Sequence, residues 1–355
     1  MSQEWNRYGP TAARPHGRPG REVRPKGLTI DVHSHVAVPA AAAFAAPHLD
    51  LATIPLAHFA TEATKSLNKR QDRDRTSRMI EYDERLADLD AMGIDLQVVM
   101  PPPPQCYYTV PIEIADEASR MVNDGIAEYV SRRPDRFVPL GTVPLQDGRA
   151  AAAELERSVT TLGFKGVQVL TNVAGKELSD PEFEPFWAKA EALGALVVIH
   201  PNGFTEGERL TRFYFNNVVG NPLETTLALH YLIFDGVLER HSRLKILAVH
   251  GGGYLPAYSG RIDHAWGARS DVRGDLPKPP TSYLKQVYFD TVVFTPHQLD
   301  YLVRVFGPDH IVMGTDYPYD MGEYDPIGHV AGTEALDEVG VAAIAGGNAK
   351  RLLNL

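Results

Sequence analysis

Eight short β-rich apolar runs alternate with helical stretches along most of this chain, and that alternation limits the fold more than any other feature. The runs are Leu28–Val32, Ile94–Met100, Arg136–Val143, Phe164–Leu170, Ala195–Ile199, Leu244–Val249, Lys285–Asp290 and Ile311–Gly314. Helices are expected at Glu81–Met92, Ile112–Arg132, Arg149–Leu162, Glu182–Leu193, Pro222–Glu239, Pro296–Phe306 and Ala331–Leu353. Gly93, Gly163, Gly194 and Gly307 stand where several of them should end. Strand–helix alternation implies a parallel sheet with right-handed crossovers. Eight such units in 355 residues predict an α/β fold, a (β/α)8 TIM barrel, rather than an open doubly wound sheet. The open sheet would favour a glycine-rich phosphate turn after its first strand. Here that turn reads HSH, and the triplet Gly251–Gly253 lacks the GxGxxG form.

Two long connections break the rhythm, residues 37–79 after strand one and residues 201–220 after strand five. On a barrel both emerge at the catalytic rim, where lids and pockets are built. Residues 1–27 stand apart as an irregular N-terminal arm. They carry Arg7, Arg14, Arg18, Arg21, Arg24 and Lys26 against Glu4 and Glu22, with no apolar period. Residues 28–355 are read as one domain. The arm is expected to be flexible, or to lie on a partner subunit.

Composition excludes several classes. A formal charge of −10 argues against a nucleic-acid surface. No apolar run is long enough for a membrane span. Cys106 is the single cysteine, so neither an intrachain disulfide nor a multi-cysteine zinc site can form. A reducing, cytoplasmic location is expected.

The strand ends carry the chemistry. Strand one ends in His33 and His35, strand five in His200, strand six in His250 and strand eight in Asp316. A barrel brings these ends to one rim. Side chains alternate along a strand, so His33 and His35 can reach one ion while Ser34 points away. Neutral imidazoles with a carboxylate suit zinc or a similar divalent cation. His33, His35, His200 and Asp316 form the expected metal set, with one ion per subunit. His250 is left as the proton-transfer group beside metal-bound water. Asp316 counts both as ligand and as catalytic residue. Lys165 lies near the start of strand four, too early to bridge two ions, and is read as structural.

The segments "IDVHSH", "VVIHPNGF", "GTDYPYD" and the stretch from "NPLETT" to "GRIDHAW" resemble the amidohydrolase superfamily. Within it they are most similar to the branch of aminocarboxymuconate semialdehyde decarboxylase (ACMSD) and related metal-dependent decarboxylases. The resemblance covers residues 28–355 and is most specific over 221–266. It implies a metal-dependent non-oxidative decarboxylase of an aromatic or conjugated dienoic carboxylic acid. The cofactor would be zinc, with manganese as the alternative. The closest rival is a hydrolase or hydratase acting on a ring-cleavage acid with the same metal set. Arg261 matches an arginine that reaches a neighbouring subunit's substrate, which implies a homodimer. The branch carries Trp-Asp-Met where this chain has Asn202-Gly203-Phe204. Asn202 and Phe204 therefore join Tyr107, Tyr108 and Arg261 as expected substrate-binding residues. Arg73, Arg75 and Arg78 are all candidates for a second carboxylate-binding arginine.

Overall fold

The computed structural model describes residues 19–355. Eight parallel strands lie where the alternation places them: β1 Ile30–Asp31, β2 Leu96–Val99, β3 Phe137–Pro139, β4 Gly166–Leu170, β5 Leu196–His200, β6 Lys245–Ala248, β7 Val287–Asp290 and β8 Ile311–Val312. β1, β2 and β3 pair in that order, and β4 to β8 pair in sequence. Two contacts close the ring. Gly141 bridges to Val167 between β3 and β4, and Ser34 bridges to Tyr317 just past β1 and β8. Val32 N also donates to Met313 O at 2.9 Å across that second seam. The result is a closed (β/α)8 barrel.

Strand alternation sorts the core into two layers. Ile30, Val32, Val98, Val138, Leu140, Val198, Leu247 and Val312 form one buried cluster, which the C-terminal Ala349, Leu352 and Leu353 join. The alternate residues, among them Val99, Val167, Val197, Ile199, Ile246 and Phe289, pack with the surrounding helices in a second cluster. Lys165 sits at the strand-start end, its Nζ 3.4 Å from the Asn354 carbonyl. That is far along the strand from the rim groups, as its early position in the run suggested.

The helices mostly follow expectation. Helices Asp83–Met92 and Glu184–Leu193 end on Gly93 and Gly194, both in the left-handed region that glycine enters without Cβ strain. Three expectations fail. The expected helix Pro222–Glu239 is divided into Asn221–Phe234 and Val237–Arg240, with Gly236 at a φ of 75° between them. The single helix Ala331–Leu353 is replaced by Pro326–Ala331, Glu338–Ala342, a π turn Ala343–Gly347 and Asn348–Leu352. Gly332 ends the first piece, and the Asp337 side chain caps a new one by accepting from Gly340 N at 2.8 Å. Helix Leu255–Ala268 was not expected, because Pro256, Gly260 and Gly267 blur its apolar period.

The first insertion folds into helices Pro39–Ala45, Pro55–His58, Glu62–Asp74 and Thr76–Ile80. It interlocks with the second at the rim: Leu56 N donates to Asn202 O at 3.2 Å, and Asn216 Nδ2 donates to Pro55 O at 2.8 Å. Residues 1–18 of the expected arm lie outside the described residues. Its remainder is held on the barrel, with Gly20 N donating to Asp325 Oδ1 at 3.0 Å and Arg24 paired with Asp95.

Candidate metal centre

Asp316 stands at the focus of the rim. Its Oδ1 faces three imidazole Nε2 atoms, those of His35 at 3.1 Å, His33 at 3.3 Å and His200 at 4.0 Å. Its Oδ2 faces a fourth, His250 Nε2 at 3.5 Å. The His33 ring lies 5.3 Å from that of His35, 5.1 Å from His200 and 5.3 Å from His250, centroid to centroid. The five side chains named from the strand ends thus meet at one place.

Local folding explains the aim of each group. Residues 196, 198 and 200 share one parity on β5, and His200 carries that parity from the barrel core to its mouth. Ser34 turns away between the two histidines and donates to Val98 O at 2.8 Å. His250 and Asp316 both take positive φ, at 54° and 60°, a conformation uncommon for residues with a side chain. Such backbone is held only where its surroundings enforce it, and it clusters at functional sites.

Three of the four imidazoles are fixed from behind. His33 Nδ1 contacts Asp290 Oδ2 at 2.7 Å, His35 Nδ1 contacts Pro101 O at 3.0 Å, and His200 Nδ1 contacts Pro201 O at 2.7 Å. Each such contact places the proton on Nδ1 and turns a bare Nε2 inward, the arrangement seen in metal-ligating histidines. His250 differs, because its Nδ1 is buried with no hydrogen-bond partner. His33 Nε2 and His200 Nε2 are likewise buried without one. Orphaned inward lone pairs beside a carboxylate are what a cation would satisfy, so these residues fit a divalent metal. The mutually nearest ligand atoms belong to His33, His200, His250 and Asp316, all within 4.8 Å of one another. That grouping admits His250 and omits His35. The two differ in their support: His35 Nδ1 is held by the Pro101 carbonyl, whereas His250 Nδ1 has no partner.

Protonation follows the surroundings. Burial pushes the His200 imidazole down to about 3 and lowers that of His35, which favours the neutral form of both. Burial alone would lower His33 too, but Asp316 and Asp290 outweigh it and raise it. Burial likewise disfavours the Asp316 anion, but the neighbouring His33 and bonds from the other imidazoles hold it well below the usual carboxylate range.

Sequence reasoning passed over the supporting carboxylates. Asp290, the last residue of β7, is fully buried, touches His33 and accepts from Gly251 N at 2.8 Å. Asp31 accepts from Thr315 Oγ1 at 2.6 Å and Gln97 Nε2 at 2.8 Å, tying β1 to β2 and β8. Asp290 also ends its strand, so the strand-end criterion that found the five could have found it.

A cavity of about 840 Å3 opens over His200, His250 and Asp316. Lys65, Lys69, Arg73 and Arg75 of the first insertion line it, together with Asn202. Arg75 is the buried cation. It is paired with Asp72 at 2.9 Å and Asp320 at 3.4 Å, lies over the Tyr319 ring at 4.8 Å, and keeps an Nε without partner. Arg78 pairs instead with Glu84 and Asp88 and does not line the cavity. Tyr107 and Tyr108 line a neighbouring cavity rather than this one. Phe204 lines neither; its backbone N–H donates to Asn216 Oδ1 at 2.8 Å. Arg261 is exposed on helix Leu255–Ala268 and does not line the cavity of its own chain.

Comparison with known proteins agrees with this arrangement. The 2-amino-3-carboxymuconate-6-semialdehyde decarboxylase of Dictyostelium discoideum is 33% identical over 299 residues, 84% of this chain and 83% of its own. The structure of 5-carboxyvanillate decarboxylase from Sphingomonas paucimobilis matches with a TM-score of 0.81 at 27% identity, covering 92% of this chain and 99% of that one. A dihydroxybenzoic acid decarboxylase from Polaromonas sp. JS666, solved with bound manganese and the inhibitor 2-nitroresorcinol, matches with a TM-score of 0.76 at 25% identity over 93% of this chain and 97% of that one. The sequence profile of the amidohydrolase family spans residues 30–355, and the chain belongs to that family.

Proposed function

We propose that this protein is a metal-dependent, non-oxidative decarboxylase of an aromatic or conjugated dienoic carboxylic acid. The observation that carries the reading is the ring of imidazoles about Asp316 under a cavity lined by cations, in a chain whose relatives are decarboxylases. His33, His35, His200 and Asp316 would hold one divalent ion, zinc or manganese. The cation would polarise an oxygen of the substrate and orient it.

The rest falls to the chain's own groups. Arg75, with Lys69 and Arg73 beside it, binds the carboxylate; a guanidinium can do so through two N–H groups. The substrate carbon bearing the carboxylate accepts a proton and leaves the conjugated plane. The carbon–carbon bond then breaks, its electron pair returns to the π system, and CO2 departs. His250 handles that proton at Nε2, the atom that faces Asp316 Oδ2. Asn202, next to the cavity mouth, orients polar substituents. A homodimer fits the helix that carries Arg261, where Tyr258 (70% exposed) and, just before it, Tyr254 leave apolar side chains uncovered. Among the described residues no helix is long and apolar enough to cross a membrane, and a cytoplasmic location is proposed.

The test is a panel of hydroxybenzoic and dienoic acids incubated with zinc- and manganese-loaded protein. Stoichiometric CO2 with the decarboxylated product is expected. Cleavage into two acids without CO2 would identify a hydrolase instead.

A further inference from the structure

A second cavity, of about 500 Å3, abuts the metal cavity. The two share Ala52, Ile54, His58, Pro103, Pro104 and Asn202 as a common wall. Their chemistry differs sharply. The metal cavity carries four cationic side chains with Asp72, Asp316 and Asp320. The second has no carboxylate, ammonium or guanidinium among its lining groups. Its walls are apolar and aromatic, with Leu49, Phe59, Leu170, Tyr107 and Tyr108 prominent. Tyr107 and Tyr108 are each 3% exposed. The polarity that remains comes from neutral groups such as Thr109 and Asn172.

Charge divided in this way suits a ligand divided the same way. An anionic head is drawn to the metal cavity, and an uncharged body loses water against aromatic walls. We infer that the second cavity is a subsite for an uncharged extension of the substrate acid, an alkyl, alkoxy or aryl group, so that the preferred substrates are amphiphilic and not single-ring acids alone. This deepens the decarboxylase reading and rests on it for the identity of the head group. Both insertions and the loop after β2 build the shared wall, so the subsite belongs to the same rim that presents the metal centre.

The experiment measures binding apart from turnover. Manganese-loaded full-length protein is titrated by calorimetry with 2-hydroxybenzoate and with its 4-phenyl and 5-phenyl derivatives. At least one phenyl derivative is expected to bind about tenfold or more tightly than the parent, the gain that burial of a phenyl group provides. Thr109→Trp and Leu49→Trp fill this cavity from different segments and should each collapse that preference, with metal content and circular dichroism as checks on folding. Equal affinity for parent and derivatives overturns the subsite, as does a preference that survives in both folded variants. CO2 release is scored separately. A protein that prefers a phenyl derivative yet releases CO2 from none of the acids loses the activity and keeps the subsite, whereas one that decarboxylates the parent and ignores the extension does the reverse.

Discussion

Asp290 Oδ2 lies 2.7 Å from His33 Nδ1, and both side chains are fully buried. The carboxylate fixes the tautomer and raises the basicity of the inward Nε2. Asp290→Asn keeps the shape but removes the charge. It should weaken metal binding about 10- to 100-fold, measured by competition with a chromogenic chelator. Wild-type affinity in that variant would show that the pair is structural only.

His250 and the proposed ligands should separate in a metal assay. His250→Ala is expected to retain the ion while kcat falls by about 10^2 to 10^4, the usual worth of a proton-transfer group. His33→Ala and Asp316→Ala should instead emerge with depleted metal by elemental analysis. Full occupancy in both would sink the ligand assignment, and substantial turnover by His250→Ala would remove that residue from the chemistry.

Arg75 is the one buried cation of the cavity wall. Arg75→Gln should raise KM for a carboxylate substrate about tenfold or more, the loss of a charged hydrogen bond, and Arg75→Lys should restore it only in part because the planar fork is gone. An unchanged KM would move the carboxylate site to Lys69 or Arg73.

Most of the barrel was legible because strand periodicity and turn residues are local. The five rim groups were legible for a related reason: each terminates its own apolar run. What could not be read was set by caps, loop hydrogen bonds and packing, none of which leaves a periodic signal. Phe204 follows His200 closely in sequence, yet its backbone N–H is bound to Asn216 and the residue lines neither cavity. The break of the C-terminal helix depends on a cap at Asp337 that competes with continued periodicity. Arg75 was one of three equivalent arginines until packing against Tyr319 buried it.

Glu177 supplies a pH test away from the metal. Burial, with Glu224 and Asp235 nearby, pushes its carboxyl up to about 7 from 4.5. The folded state therefore holds this proton more tightly than the unfolded chain does. The contribution to stability is complete below about pH 4.5 and is lost as pH rises through about 7. Between pH 6 and pH 8 wild type should lose more melting temperature than Glu177→Gln. Parallel melting curves for the two would contradict this.

Gly203 tests the interlock of the insertions. It has φ of +83°, and a Cβ there would lie 2.4 Å from Leu56 N. Gly203→Ala should cost about 1–3 kcal/mol from backbone strain alone, read as a lower midpoint in urea. A midpoint equal to wild type would mean that the rim yields freely.

His35 and Asp316 are 281 residues apart in sequence yet 3.1 Å apart in space, across the seam where the first and last strands meet. A cation held by both would clasp the two ends of the barrel together. Loading and ring closure would then be linked, with occupancy favouring the closed cylinder over any state in which that seam is open. During synthesis the nest for the ion does not exist until the eighth strand has left the ribosome, so a partly made chain offers the cell's metal pool only scattered histidines.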